Sequence, residues 1–145
     1  MLHVVVDGAN VVGSRPDGWW RDRAGAARRL AEQLVALLVA DTDRLAETLG
    51  RPAGHPLRLH LVLEGAAARA EDLPEHPAFA VVRARADGDS AIVELVRGLV
   101  RGSADEPGSQ DWVVVTADRE LRDRVAAAGA GTVGPGTLLR ALPDR

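Results

Sequence analysis

Four short apolar runs stand apart from stretches patterned with a helical period. Leu2-His3-Val4-Val5-Val6 is the first, and it breaks at Asp7-Gly8-Ala9-Asn10. Leu57 to Leu63 is the second, with Glu64-Gly65 at its end; Phe79 to Val82 is a short third. Trp112 to Val115 is the fourth, ending in Thr116-Ala117-Asp118. Apolar character that is continuous instead of alternating predicts strands covered on both faces, as in parallel sheets. Only the second run alternates, at its start, where Arg58 and His60 fall on one side; that predicts a place nearer a sheet edge.

Helical periodicity fills the gaps. Asp22 to about Ala40 carries Ala27, Leu30, Leu34, Leu37 and Leu38 at helical spacing. Ser90 to Arg101 repeats the pattern, and so does Asp118 to Ala128, where Gly129 suits the helix end. Thr137 to Leu142 reads as a last short helical piece. Gly50 to Pro56 and Gly102 to Gln110, rich in Gly, Pro and polar residues, read as loops. Strands alternating with helices imply βαβ units, so the predicted fold class is α/β with a parallel sheet.

Composition narrows the chemistry. A chain of 145 residues, 46% hydrophobic and 27% charged, predicts one domain spanning residues 1–145. It has no cysteine, which removes disulfides, thiolate-bound zinc and thiol catalysis. All 18 basic residues are arginine. Without lysine there is no Walker A phosphate loop and no Schiff-base chemistry. A net charge of −3 excludes a globally basic nucleic-acid wrapper, so any RNA contact must come from a local arginine patch or a bound cation. The opening residues, with no charged start and too short an apolar run, predict neither a secretion signal nor a membrane segment, and the expected compartment is the cytoplasm.

In an open parallel sheet, ligands gather outside the carboxyl ends of the strands. The first strand delivers Asp7 and then Asn10, the second Glu64, and the fourth Thr116 and Asp118. Asp87-Gly88-Asp89-Ser90 opens the helix after the third, with Asp89 or Ser90 expected to cap it. Taken alone, each acid reads as a helix cap or a turn residue. Several carboxylates on one edge repel one another unless a cation neutralises them. Oxygen donors without Cys or a His cluster select Mg²⁺ or Mn²⁺. Such an ion stabilises a phosphoryl transition state, which points to phosphodiester hydrolysis.

Val6-Asp7-Gly8-Ala9-Asn10 resembles the opening of the NYN domain family of PIN-like ribonucleases, a strand followed by Asp-Gly-x-Asn. Gly88-Asp89-Ser90-Ala91-Ile92 is similar to the family's mid-chain acidic motif, and Val115 to Leu121 to its strand-end Thr/Ser-x-Asp motif. Gly134-Pro135-Gly136-Thr137-Leu138-Leu139 also has the family's look, and the likeness is greatest to the YacP-like bacterial branch. The resemblance implies a three-layer fold with a mostly parallel sheet of about four to five strands. It further implies a metal-dependent endoribonuclease in which Asp7, Asp89 and Asp118 hold Mg²⁺ or Mn²⁺ and Asn10 and Thr116 organise the site. The chain departs from many relatives in having Ser90 where a second acid follows, and Glu64 where some have Asp.

The segment from Ser14 to Arg29 holds Arg15, Trp19, Trp20, Arg21 and Arg23 in a chain only 3% aromatic. Two readings stand. Indole faces and guanidinium groups could form a platform for RNA bases and phosphates. Alternatively, the tryptophans plug the base of the long helix and the arginines face water. Trp112 reads as core, and His3, His55, His60 and His76 as structural, since no two have ligand spacing. The expected partner is RNA (messenger, transfer or ribosome-associated), with no membrane and with either a monomer or a homodimer. A non-catalytic RNA- or ribosome-binding module is the alternative. A phosphotransferase with Asp7 as nucleophile is disfavoured, because it would want Asp-x-Asp and a lysine, and position 9 is Ala9.

Overall fold

A computed structural model describes residues 1–106, 108 and 110–143. Pro107 and Ser109, within the expected Gly102–Gln110 loop, lie outside the described residues, as do Asp144 and Arg145. The strands are β1 (Leu2–Asp7), β2 (Leu57–Leu63), β3 (Phe79–Arg83), β4 (Asp111–Val115) and β5 (Gly131–Val133). They form one sheet in the order β3-β2-β1-β4-β5, parallel throughout. β1 is central, with Val6 beside Leu61 on one side and Val115 on the other. β2 is an interior strand, one in from the edge, and His60 is buried; the alternation at its start reflects a single exposed residue, Arg58.

Among the described residues, six α-helices cover the sheet: α1 (Gly8–Gly13), α2 (Arg23–Ala40), α3 (Thr42–Thr48), α4 (Gly88–Gly102), α5 (Arg119–Ala127) and α6 (Pro135–Ala141). Alternate residues of each strand serve opposite layers. Val4, Val6, Leu59, Leu61, Val113 and Val115 join the buried faces of α1, α2, α3 and α6. Val5, Val62 and Val114 meet Ile92, Val93 and Val96 of α4 and Leu121 and Val125 of α5. Each of these buried aliphatic side chains stabilises the fold by roughly 1.5–3 kcal/mol, which is why continuous apolar strands belong between two helical layers. Trp112, expected in the core, is only half-buried against the α4–α5 layer, and its indole N–H has no hydrogen-bond partner. No helix among the described residues is long and apolar enough to cross a membrane.

The strand order reverses its direction of growth at β1: β2 and β3 lie to one side, β4 and β5 to the other. Such a switch point opens a crevice at the carboxyl ends of the two strands that flank it. Here those strands are β1 and β4, which end in Asp7 and Val115.

Candidate active site at the carboxyl edge of the sheet

Asp7 closes β1 and caps α1. It is buried, and its Oδ1 accepts from the Asn10 backbone N–H at 3.4 Å. A helix can begin this close to the sheet because residue 8 is glycine: a Cβ there would lie 2.6 Å from the Val62 carbonyl oxygen. The Asp-Gly-Ala-Asn stretch is thus the first turn of a helix, where the sequence offers a turn as the simpler reading.

Thr116, fully buried at the end of β4, donates its hydroxyl to Asp7 Oδ2 at 2.8 Å and accepts from the Asp118 N–H at 3.1 Å. Asn10 Oδ1 accepts from the Ala117 N–H at 2.8 Å, tying α1 to the end of β4. Asp118 caps α5, its Oδ1 accepting from the Leu121 N–H at 3.0 Å. Asp7, Asn10, Thr116 and Asp118 therefore form one connected network across the crevice.

Glu64 and Asp89 complete the edge. Glu64 Oε2 accepts from the Gly88 N–H at 2.9 Å, so the end of β2 grips the start of α4. The cap of α4 is Asp87, not Asp89 or Ser90: Asp87 Oδ1 accepts from the Ser90 N–H at 2.8 Å, and Oδ2 from its hydroxyl at 3.2 Å. Those bonds hold the Asp87 carboxyl below the usual carboxylate range. Freed from capping, Asp89 stands half-buried in the first turn of α4.

Charge links these acids. Burial pushes the Asp7 carboxyl above its ordinary value, the bonds from Thr116 and Asn10 oppose that, and the charges of Asp89 and Glu64 add to it. Burial also raises Asp89, followed by the charges of Asp118, Glu64 and Asp87, with Arg124 pulling the other way. Each acid is thus felt by its neighbours, as expected where like charges share a site. The donor set is entirely oxygen, which suits Mg²⁺ or Mn²⁺. Among the described residues, no three His, Asp or Glu side chains are placed together so as to hold a metal ion.

The two tryptophans behave differently. Trp19, half-buried, packs on the core, while Trp20 is 56% exposed, with the rings edge to face at 5.9 Å. Arg23 lies over Trp19 at 5.4 Å and Arg21 over Trp20 at 5.9 Å, and both arginines are exposed. Arg15, half-buried, follows α1 with its N–H on the Val12 carbonyl at 3.2 Å. Trp19 thus packs as the helix-plug reading expects, whereas Trp20 stands out in solvent.

A pair that sequence spacing does not reveal joins His3 of β1 to His60 of β2. Their Nδ1 and Nε2 atoms lie 3.1 Å apart and the rings stack at 5.4 Å. Burial, then His3 and Arg58, lowers the His60 pKa to about 4. The pair lies within the sheet, away from its carboxyl edge, because His60 stands beside Val5.

No family model and no curated protein matches this sequence. A solved structure does: Rae1 (YacP) from Bacillus subtilis, with a TM-score of 0.62 at 17% identity, covering 97% of this chain and 74% of that one. The likeness bears out, at the level of fold, the PIN-like architecture and the YacP resemblance read from the motifs.

Proposed function

We propose that the chain, as one domain over residues 1–145, is a divalent-cation-dependent endoribonuclease of the cytoplasm that hydrolyses RNA phosphodiester bonds. The observation that carries this reading is the mutual charge crowding of Asp7, Glu64, Asp89 and Asp118 at one strand edge, with Asp7 and Asp89 raised. The fold shared with Rae1 is the scaffold on which the reading rests. Asp7, Asp89 and Asp118 are the residues to hold Mg²⁺ or Mn²⁺. The three are not gathered into one ready-made group, so any one ion would take one or two of them and keep several waters. When bound, the ion supplies positive charge to the phosphoryl group and lowers the pKa of water.

The chain's own groups do the rest. Thr116 fixes the Asp7 carboxylate through its hydroxyl, so the orientation of that acid is set before substrate arrives. Asn10 ties the end of β4 to α1 and keeps Asp118 in register with Asp7. Arg15, Trp19, Trp20, Arg21 and Arg23 are the proposed RNA-binding set, supplying guanidinium groups for phosphates and indoles for bases.

The test is cleavage of a single-stranded RNA in Mn²⁺ by wild type and Asp7→Asn, with circular dichroism to confirm folding. Cleavage that falls to the protein-free background in the variant and in EDTA supports the reading. Wild-type rates in either condition overturn it. A second reading, a module that binds RNA without cutting it, is favoured by Ser90, whose amide and hydroxyl serve the Asp87 cap where an additional acid could stand. It predicts RNA retention on a filter with no cleavage in any divalent cation.

A further inference from the structure

Beside the acidic edge, between α1 and the single 3-10 turn of Gly65–Arg69, lies a cavity of about 260 Å³. Val12, Leu63 and Ala67 give it apolar walls, Trp19 and Arg23 stand at one side, and Glu64 lines it as well. It reaches Gly8, the residue that follows Asp7. We propose that this cavity receives one unpaired RNA base, guanine by preference, and that Glu64 reads its Watson–Crick edge while the adjoining phosphate lies over the carboxylates. The inference deepens the RNA-cleaving reading above and rests on it.

The size is the first argument. Drug-sized ligands occupy roughly 300–1,000 Å³, so a space below that range suits a single planar ring system. The second is the kind of surface present. Unpaired RNA bases stack on aromatic rings and on guanidinium planes, and Trp19 and Arg23 both line the cavity. The third is the carboxylate. Guanine presents two adjacent donors, N1–H and N2–H₂, which match the two oxygens of a carboxylate. Adenine and cytosine present an amine beside an acceptor nitrogen, and uracil one N–H between two carbonyls, so each sets an acceptor against Glu64.

Gly88 fixes where the Glu64 carboxylate sits. Its N–H holds Glu64 Oε2 at 2.9 Å, and a Cβ at residue 88 would lie 3.1 Å from Oε1. The reader is therefore oriented by the start of α4, the element that also carries Asp89.

The experiment measures binding of GMP, AMP, CMP and UMP to the protein in Mg²⁺ by tryptophan fluorescence and by the NMR shifts of the indole N–H groups. GMP is expected to bind roughly 5- to 150-fold more tightly than the others, the discrimination of one bidentate base contact. Ala67→Leu, which fills the cavity, should abolish binding at an unchanged melting temperature. Glu64→Gln should bring the four nucleotides to similar affinities, and it serves alone if Ala67→Leu fails to fold. Equal affinities for all four in wild type, or GMP binding undiminished in Glu64→Gln, overturn the proposal. GMP binding by a protein that never cuts RNA would remove the cleavage reading and leave the base site. Cleavage indifferent to base, with no nucleotide bound, would do the reverse.

Discussion

At Asp118 a single carboxylate caps α5 through the Leu121 N–H and, after burial, adds most among the neighbouring charges to the raising of Asp89. The two contributions can be separated, because Asn caps a helix about as well as Asp but carries no charge. In EDTA, Asp118→Asn is expected to melt above wild type and Asp118→Ala below it, the latter through loss of about 1 kcal/mol of capping. Mg²⁺ at a hundred times its dissociation constant should stabilise wild type by about 2.7 kcal/mol and Asp118→Asn by less. Calorimetric melting with and without cation checks all of this, and an Asn variant no more stable than wild type in EDTA would show that the acids are not crowded. His60 carries a separate signature. Its folded pKa is depressed from 6.5 to about 4, so its contribution to stability is full above 6.5 and is lost as pH falls towards 4. Arg58 and His3 disfavour its protonation, while Glu106 acts in the opposite sense on His3. Denaturant midpoints should therefore fall between pH 6.5 and 4 in wild type and stay flatter in His60→Leu.

Elements were legible in proportion to their length and to how far their own residues determine them. The four apolar strands and the helices α2, α4 and α5 each carry enough periodic residues to be read directly, within a residue or two at the ends. α1 was not, because six residues with glycine at both ends look like a turn; what makes them helical is the Asp7 cap and the burial of Val11 and Val12. α3 offers only Leu45 and Ala46 to the core, and β5 is three residues long with no fully buried side chain. The site divides the same way. Asp7, Asn10, Thr116 and Asp118 were readable because strand ends announce them. The grip of Glu64 on Gly88, the capping role of Asp87 and the His3–His60 pair depend on which strands become neighbours, and local pattern does not encode that. The tight start of α1 gives a sharp test at this scale. Gly8→Ala sets a Cβ against the Val62 carbonyl and should cost about 1–3 kcal/mol. A lowered denaturant midpoint is expected; an unchanged one would mean that α1 can shift away from β2 without loss.

Over the whole molecule, a net charge of −3 and an acidic edge would repel RNA, so on the proposed reading recruitment would fall to the exposed arginines around Trp20. Trp20→Ala should leave melting unchanged, because the ring is 56% exposed, while weakening RNA binding by about 1–3 kcal/mol for one lost stacked base. Arg21→Ala should reduce the slope of log affinity against log salt by about one or less. Filter binding across a salt series measures both, and unchanged affinity in both variants would remove this loop from the RNA-binding set. The position of β1 has a further consequence, in time as well as in space. Of the strands in this sheet the earliest in sequence becomes the middle one, and Asp7 waits for Thr116, 109 positions later in the chain, to complete its bonding. Chains leave the ribosome amino end first. A nascent copy therefore pairs β1 with β2 first and with β4 only later, and the acids gathered by then, Asp7, Glu64 and Asp89, are joined last by Asp118. On the RNA-cleaving reading proposed above, a copy still short of Asp118 would leave the message that encodes it uncut.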